Sequence, residues 1–118
     1  MLFSSARPIP PGRLARVRDL TAELAPHRAA YDDLNARFGV HSHAVWVNHP
    51  DAEADIWVSV YDIDADGLRA MQARRWEPDH SAYDRWWLAF VREALDVDLL
   101  AGPPAASPPE LIFDSEAR

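Results

Sequence analysis

Two neighbouring β-type runs constrain the fold of this chain more than any other feature. The first, GVHSHAVWVNH, covers residues 39–49, and the second, ADIWVSVYDI, covers residues 54–63. Both are rich in Val, Trp, Tyr and Ile at alternate positions, which is typical of strands. Because the segment from Pro50 to Glu53 has the composition of a turn, the two runs are predicted to form an antiparallel hairpin.

The position of the turn decides which side chains share a face of the hairpin. With residues 50–53 as the loop, His49 pairs with Ala54, and the pairs continue outward until His41 lies opposite Asp62. One predicted face carries His41, His43, Val45, Val47, Ile56, Val58, Val60 and Asp62. The other carries Ser42, Ala44, Trp46, Asn48, Trp57, Ser59 and Tyr61. Neither face is polar enough for water, so helices are expected on one and a second copy of the chain on the other.

Helical periodicity flanks the hairpin on both sides. Apolar residues recur at spacings of three, four and seven over residues 13–38, which predicts an amphipathic helix with a kink at Pro26. Further helices are predicted within residues 64–95, where the segment from Tyr83 to Leu95 has the broadest apolar face.

The two ends of the chain are rich in proline. Residues 1–12 are predicted to be irregular or an edge strand, because proline cannot donate a backbone hydrogen bond. Residues 102–109 form a Pro-rich connector, and residues 110–114 have the composition of a last strand. A chain of 118 residues is long enough for one hydrophobic core, so residues 1–118 are predicted to form a single domain.

Composition excludes several kinds of chemistry. The chain carries 12 bases, all of them Arg, against 19 acids, and its net charge is -7. Such a charge repels phosphate backbones, so no nucleic-acid partner is expected. The absence of Lys and Cys excludes Schiff-base and thiol nucleophiles. No stretch has the length of a signal peptide's apolar region or of a membrane span, so we predict a cytoplasmic protein with no membrane partner.

The predicted elements follow the order strand, helix, strand, strand, helix pair, strand, which is the split β-α-β arrangement of ferredoxin-like folds. The segments DHSAYDRWW (79–87), VRE (91–93) and DVDL (96–99) are similar to the C-terminal half of a group of small uncharacterised proteins. The whole pattern resembles the dimeric α+β barrel superfamily, which includes cofactor-independent antibiotic-biosynthesis monooxygenases, muconolactone isomerases and haem-degrading enzymes. The resemblance implies an α+β, ferredoxin-like βαββαβ fold with helices on one face of an antiparallel sheet. It also implies a homodimer formed through the other face into an α+β barrel.

The sharpest local feature is the triplet His41-Ser42-His43. Alternate residues of a strand point the same way, about 6.5–7 Å apart, and the predicted register places Asp62 opposite His41. Two His and a carboxylate are a ligand set for a divalent metal, whereas a hydrogen-bonded His pair is the simpler alternative. His43 is also suited to general acid or base catalysis, because imidazole titrates near neutral pH. We predict His43, His41 and Asp62 as catalytic candidates, with no metal site.

The resemblance also suggests where a substrate binds. In that superfamily small substrates lie between sheet and helices, against Trp, Tyr, His and Asn side chains. The corresponding candidates for substrate binding are Tyr31, Tyr83, Trp87 and Asn48. The alternative is that these aromatic residues belong to the core.

Two further groups receive structural interpretations. Trp46 and Trp57 are predicted to be cross-strand neighbours in the dimer interface, where Trp is enriched. The segment Arg74-Arg75-Trp76 has the composition of an anion site, but the simpler prediction is a solvated helix end, where a cation is favourable against the helix dipole.

The function implied by the resemblance is that of a cofactor-independent monooxygenase, isomerase or cyclase acting on a hydrophobic or aromatic small molecule. One alternative is a dimeric protein that binds a hydrophobic small molecule, or serves only as an assembly partner, without catalysis. A third is a haem- or metal-dependent oxygenase. Sequence alone leaves open whether the protein is an enzyme.

Overall fold

An antiparallel sheet is the frame on which the helices of this protein lie. The computed structural model describes residues 1–74, 76 and 81–101. Within them the sheet has three strands, β1 (Leu2–Pro8), β2 (Val40–Asn48) and β3 (Ile56–Ile63). The strand order is β1-β3-β2, and both pairings are antiparallel.

The helices precede and follow the hairpin formed by β2 and β3. They are α1 (Leu14–Val17), α2 (Leu20–Leu24), α3 (Arg28–Arg37), α4 (Ala65–Ala73) and α5 (Ala82–Leu95). Short 3₁₀ turns occupy Ala25–His27 and Leu99–Ala101. The α+β class with an antiparallel sheet is therefore confirmed. The connector predicted over residues 102–109 and the strand predicted over 110–114 lie outside the described residues. No helix of the described part is long and apolar enough to cross a membrane.

The helical region predicted over residues 13–38 is divided into segments. Pro26 lies in the first turn of the 3₁₀ segment between α2 and α3, since proline has no N–H to donate to an α-helical bond. A second interruption, between α1 and α2, was not predicted. Arg16 holds the segments together, because its guanidinium bonds Glu23 on α2 and Glu93 on α5.

Helix α5 supplies most of the core. It begins after Ser81, whose hydroxyl accepts a hydrogen bond from the Asp84 backbone at 3.0 Å, an arrangement typical of an N-cap. Its buried face includes Phe90, Val91, Ala94 and Leu95, and these side chains cluster with Trp57 of β3 and Val17 of α1. The helices therefore cover one face of the sheet.

The hairpin register differs by one residue from the predicted register. Asn48 pairs with Ile56 and Val47 with Trp57, so the loop is longer than residues 50–53. The cause lies in the loop, where the Asp51 carboxylate accepts hydrogen bonds from the backbone N–H groups of Glu53 and Ala54, each at 2.8 Å. This local turn competes with the strand ladder for the same donors.

A shift of one residue exchanges the faces of one strand relative to the other. The face under the helices carries His43, Val45 and Val47 from β2 together with Trp57, Ser59 and Tyr61 from β3. The opposite face, which we call the open face, carries Leu2, Ser4, Ala6, Pro8, Ser42, Ala44, Trp46, Asn48, Ile56, Val58, Val60 and Asp62. Trp46 pairs with Val58, so the predicted Trp46–Trp57 pair does not form.

Candidate functional site

Two adjoining cavities lie between the covered face of the sheet and the helices. The first has a volume of about 300 Å³ and the second about 390 Å³. They share six lining residues, which are His43, Tyr61, Met71, Arg74, Trp76 and Trp87. Sites for small organic molecules begin at about this size and are mostly apolar with a few polar groups, as these cavities are.

His43 lies on the wall of both cavities with both ring nitrogens hydrogen-bonded. Its Nδ1 is 2.7 Å from the hydroxyl oxygen of Tyr31, and its Nε2 is 2.9 Å from the hydroxyl oxygen of Ser59. A neutral imidazole has one donor and one acceptor nitrogen, and each hydroxyl can serve as either partner. His43 therefore donates to one hydroxyl and accepts from the other.

Burial keeps His43 uncharged. The Tyr61 ring stacks on the imidazole, with centroids 3.9 Å apart and planes 6° apart. Removal of water disfavours the imidazolium form and lowers the pKa of His43 to about 4. Burial also raises the pKa of Tyr61 to about 12. At neutral pH the site therefore contains a neutral imidazole against a neutral phenol.

The two hydroxyl partners of His43 belong to different cavities. Tyr31 lines the first cavity, and Ser59 lines the second. Ser59 is only 5% exposed, and it lies between Trp57 and Tyr61 on the covered face of β3. His43 thus lines both cavities and is hydrogen-bonded to one residue of each.

An aromatic wall faces the sheet across the first cavity. Tyr83, Trp86 and Trp87 project from α5, and the ring of His27 stacks on Trp86 with centroids 5.1 Å apart. Burial raises the pKa of Tyr83 above its usual value, so this phenol also stays protonated. Such a wall offers flat apolar surfaces to a planar ligand.

Arg74 supplies a positive charge to both cavities. It follows the end of α4, and its Nη2 donates to the Asp84 carboxylate at 2.6 Å. Its guanidinium lies over the Trp76 ring, 3.9 Å from the centroid. The side chains of Arg74 and Asp84 are only 15% and 3% exposed, so the prediction of a solvated helix end is wrong for Arg74.

Four of the residues predicted for the site meet at the first cavity. His43 comes from β2, Tyr31 from α3, and Tyr83 and Trp87 from α5. They converge because the observed register turns His43 toward the helices and the apolar face of α5 packs over the same part of the sheet.

The structure separates His41, Asp62 and Asn48 from these four residues. His41 lies at a bulge between Val40 and Ser42, and its exposed ring bonds Asp64 at 2.9 Å. Asp62 pairs with Ser42 instead of His41 and lies on the open face, 3.4 Å from the Met1 amine. Asn48 is exposed on the open face and lines neither cavity. The predicted grouping of His43 with His41 and Asp62 does not form.

Because these residues lie apart, the set of two His and one Asp that was considered for a metal ion does not form. His41, His43 and Asp62 do not converge, and Asp64 is the hydrogen-bond partner of His41. Elsewhere in the described residues, no group of three or more His, Asp or Glu side chains is placed to hold a metal ion.

Sequence reasoning missed Ser59 and Tyr61 as partners of His43. The predicted register put both on the face opposite His43, whereas Tyr61 pairs directly with it. A usable signal was present, because Ser59 is the small polar residue in the middle of the apolar run IWVSVY. A buried hydroxyl requires a hydrogen-bond partner, and His43 is that partner.

Comparisons with protein-family models, with curated proteins and with solved structures found no match to this chain.

Proposed function

We propose that this protein is a cofactor-independent enzyme that moves a proton on a hydrophobic or aromatic small molecule, with His43 as the general base. The observation that carries the proposal is the environment of His43, a neutral imidazole bonded to Tyr31 and Ser59 on the wall of two cavities. Proton abstraction is a step that suits an isomerase, a cyclase or a cofactor-independent monooxygenase, the three reaction types to which the sequence pattern points.

The position and the protonation state of His43 suit it to this role. Its low pKa, about 4, keeps one ring nitrogen unprotonated at every pH near neutrality. The same shift makes the imidazole a weaker base than it is in water, so the rate has to come from holding the substrate against the ring. For proton transfer, the substrate takes the place of one hydroxyl at its ring nitrogen and the proton stays on the imidazole, while the other hydroxyl keeps the ring oriented.

A general probe of this chemistry is 5-nitrobenzisoxazole. A base removes the proton from its ring carbon, the carbon–nitrogen triple bond forms, and the nitrogen–oxygen bond breaks to release a coloured cyanonitrophenolate. The probe is planar and aromatic and needs no cofactor or second reactant. We expect the wild-type protein to accelerate the reaction well beyond free imidazole at the same concentration, because the aromatic wall of α5 holds the probe beside His43.

The matched variants are His43→Gln and His49→Gln. The first removes the base, and general-base catalysis predicts a loss of about 100-fold or more in rate. The second makes the same substitution at an exposed histidine near the hairpin loop, 2.5 Å from Asp55, and should leave the rate unchanged. Equal rates for His43→Gln and wild type, or no acceleration by wild type, would contradict the proposal.

A binding protein without catalysis is the second candidate. It is favoured by the fact that both nitrogens of His43 already have hydrogen-bond partners, as a purely structural histidine would. The probe reaction separates the two candidates, because a binding protein would take up the aromatic molecule without breaking its bonds.

We also propose that the protein is a ferredoxin-like homodimer that associates through the open face. The order β1-β3-β2 is the order of three strands in a ferredoxin-like sheet, whose fourth strand would lie beside β1. Asp62, at one end, is the single charged side chain among the described residues of the open face. Two copies with a net charge of -7 each can therefore approach through this face with little repulsion.

A further inference from the structure

The charges around the two cavities differ from those of the protein as a whole. The chain has an excess of acids and a net charge of -7. The described residues that line the first cavity nevertheless include Arg28 and Arg74 and no carboxylate. The second cavity adds Arg7 to Arg74, against one carboxylate, Asp98. An acidic protein thus surrounds these cavities with positive side chains.

We infer that the ligand of these cavities is an aromatic molecule bearing a carboxylate or a comparable anionic oxygen, with Arg74 as its anchor. The inference rests on the proposed use of the cavities as a small-molecule site and adds the chemical class of the ligand.

Counted over the described residues, the side-chain hydrogen bonds of Arg74 leave donors for such a ligand. A guanidinium has five N–H donors, and within the described residues Arg74 uses Nη2 for its hydrogen bond to Asp84. The rigid fork of the group matches a carboxylate, so a ligand can bond nitrogens that Asp84 does not use. Trp76 stacks on the guanidinium and fixes its plane.

Asp84 neutralises Arg74 as a pair but lines neither cavity, so a ligand meets the guanidinium and not the carboxylate. Its carboxylate lies in the first turn of α5, where the helix dipole also stabilises a negative charge. Arg28 also lines the first cavity, but its exposed guanidinium is paired with Asp32 at 3.0 Å, so it adds little net charge there. The group that favours an anion is therefore the guanidinium of Arg74 at the cavity wall, and not the net charge around the cavity.

The aromatic part of the ligand is inferred from the aromatic side chains that line the same cavities as Arg74. An anionic group on Arg74 places the body of the ligand between Trp87 on α5 and the stacked rings of His43 and Tyr61 on the sheet. Trp87, Tyr61 and His43 are all aromatic, so a planar ring system suits this part of the cavities.

The test compares 2-naphthoate with its neutral amide, 2-naphthamide, by quenching of tryptophan fluorescence. The two probes share the same rings and differ in charge, so their affinity ratio measures the contribution of the anion. A charge-assisted hydrogen bond predicts that wild type binds naphthoate about tenfold or more tightly than naphthamide. Equal affinities, or no binding of either probe, would overturn the inference.

Arg74→Gln combined with Asp84→Asn removes both charges of the buried pair, so neither is left uncompensated. We expect this double variant to lose the preference for naphthoate and to keep its affinity for naphthamide. The matched control, Arg69→Gln combined with Asp66→Asn, removes the exposed ion pair on α4 and should keep the wild-type preference. A preference that survives the loss of Arg74 would contradict the inference. Because this readout is binding, its result is independent of whether His43 catalyses the benzisoxazole reaction.

Discussion

A difference of environment separates two histidines that lie two positions apart in the sequence. His43 is buried under Tyr61, and desolvation lowers its pKa to about 4. His41 is exposed, and its hydrogen bond to Asp64 raises its pKa. The sequence predicted both as catalytic candidates, because alternate residues of a regular strand point the same way. The bulge at His41, which separates the two side chains, could not be predicted from their spacing. Of the two, only His43 lines the cavities, where it stays unprotonated at neutral pH.

The two histidines should therefore titrate on opposite sides of the usual value, near 6.5. In an NMR titration from about pH 8 to pH 5.5, we expect His41 to become protonated early and His43 to stay neutral. An unfolded His43 binds a proton between about pH 6.5 and pH 4, whereas the folded form does not, so its burial lowers the stability of the fold as pH falls through that window. His41 acts in the opposite sense, and its contribution to stability fades as pH rises through its raised pKa. Protonation of His43 above about pH 6 would contradict the assigned environment.

Among the elements, the contact between α4 and the end of α3 depends on a glycine. Gly67 lies in the first turns of α4, directly against the backbone of Phe38. A Cβ atom at this position would lie 1.8 Å from the Phe38 carbonyl oxygen, far inside van der Waals contact. The absence of a side chain therefore allows α4 to pack where it helps to position Met71 and Arg74 at the cavities.

Gly67→Ala tests this packing, because two explanations predict changes of opposite sign in the free energy of unfolding. Helix propensity alone predicts a gain of about 0.5–1 kcal/mol in the free energy of unfolding, because glycine is a poor helix former. The contact with Phe38 predicts instead a loss of about 1–3 kcal/mol or more from overpacking. Urea denaturation measures the difference, with Ala70→Gly at an exposed position of the same helix as the reference for propensity. A stabilised Gly67→Ala protein would refute the close approach.

Elements could be predicted from the sequence more reliably than the contacts between them. The pattern from Tyr83 to Leu95 predicts the apolar face of α5, and the predicted helix end at Leu95 agrees with the structure. The face of β2 that holds His43 could not be predicted, because it depends on the hairpin register. That register is set by the Asp51 carboxylate and its bonds to two backbone N–H groups, which composition does not reveal. Without the correct register, the hydrogen-bond partners of His43 could not be predicted.

For the whole molecule, the central feature is a sheet with unlike faces. The helices cover one face, on which the cavities lie, whereas the open face exposes large apolar side chains such as Leu2 and Trp46, which are 75% and 55% exposed. Exposed apolar surface of this kind is characteristic of an interaction site. The corrected register also changes the residues of the proposed interface, since Trp57 and Tyr61 face the helices and only Trp46 of the predicted aromatic set faces outward.

Ala44→Asp is the variant that tests the proposed dimer. Ala44 is exposed on the open face, so a carboxylate there would repel its copy across the interface and lose its water. We expect wild type to sediment as a dimer and Ala44→Asp as a monomer with retained circular dichroism. Ala29→Asp, which adds the same charge to an exposed position of α3, should remain dimeric. A monomeric wild-type protein would contradict the proposed association.

The central claim, that His43 is a desolvated base on the wall of a ligand cavity, is tested most directly by the pH dependence of 5-nitrobenzisoxazole cleavage. With a pKa of about 4, His43 is almost fully unprotonated throughout the range from pH 8 to about pH 5.5, so the rate attributable to it should stay constant. An exposed imidazole would lose about tenfold in rate over the same interval, because its pKa is near 6.5. A constant rate that disappears in His43→Gln is the predicted result, and a tenfold decline toward low pH would contradict it.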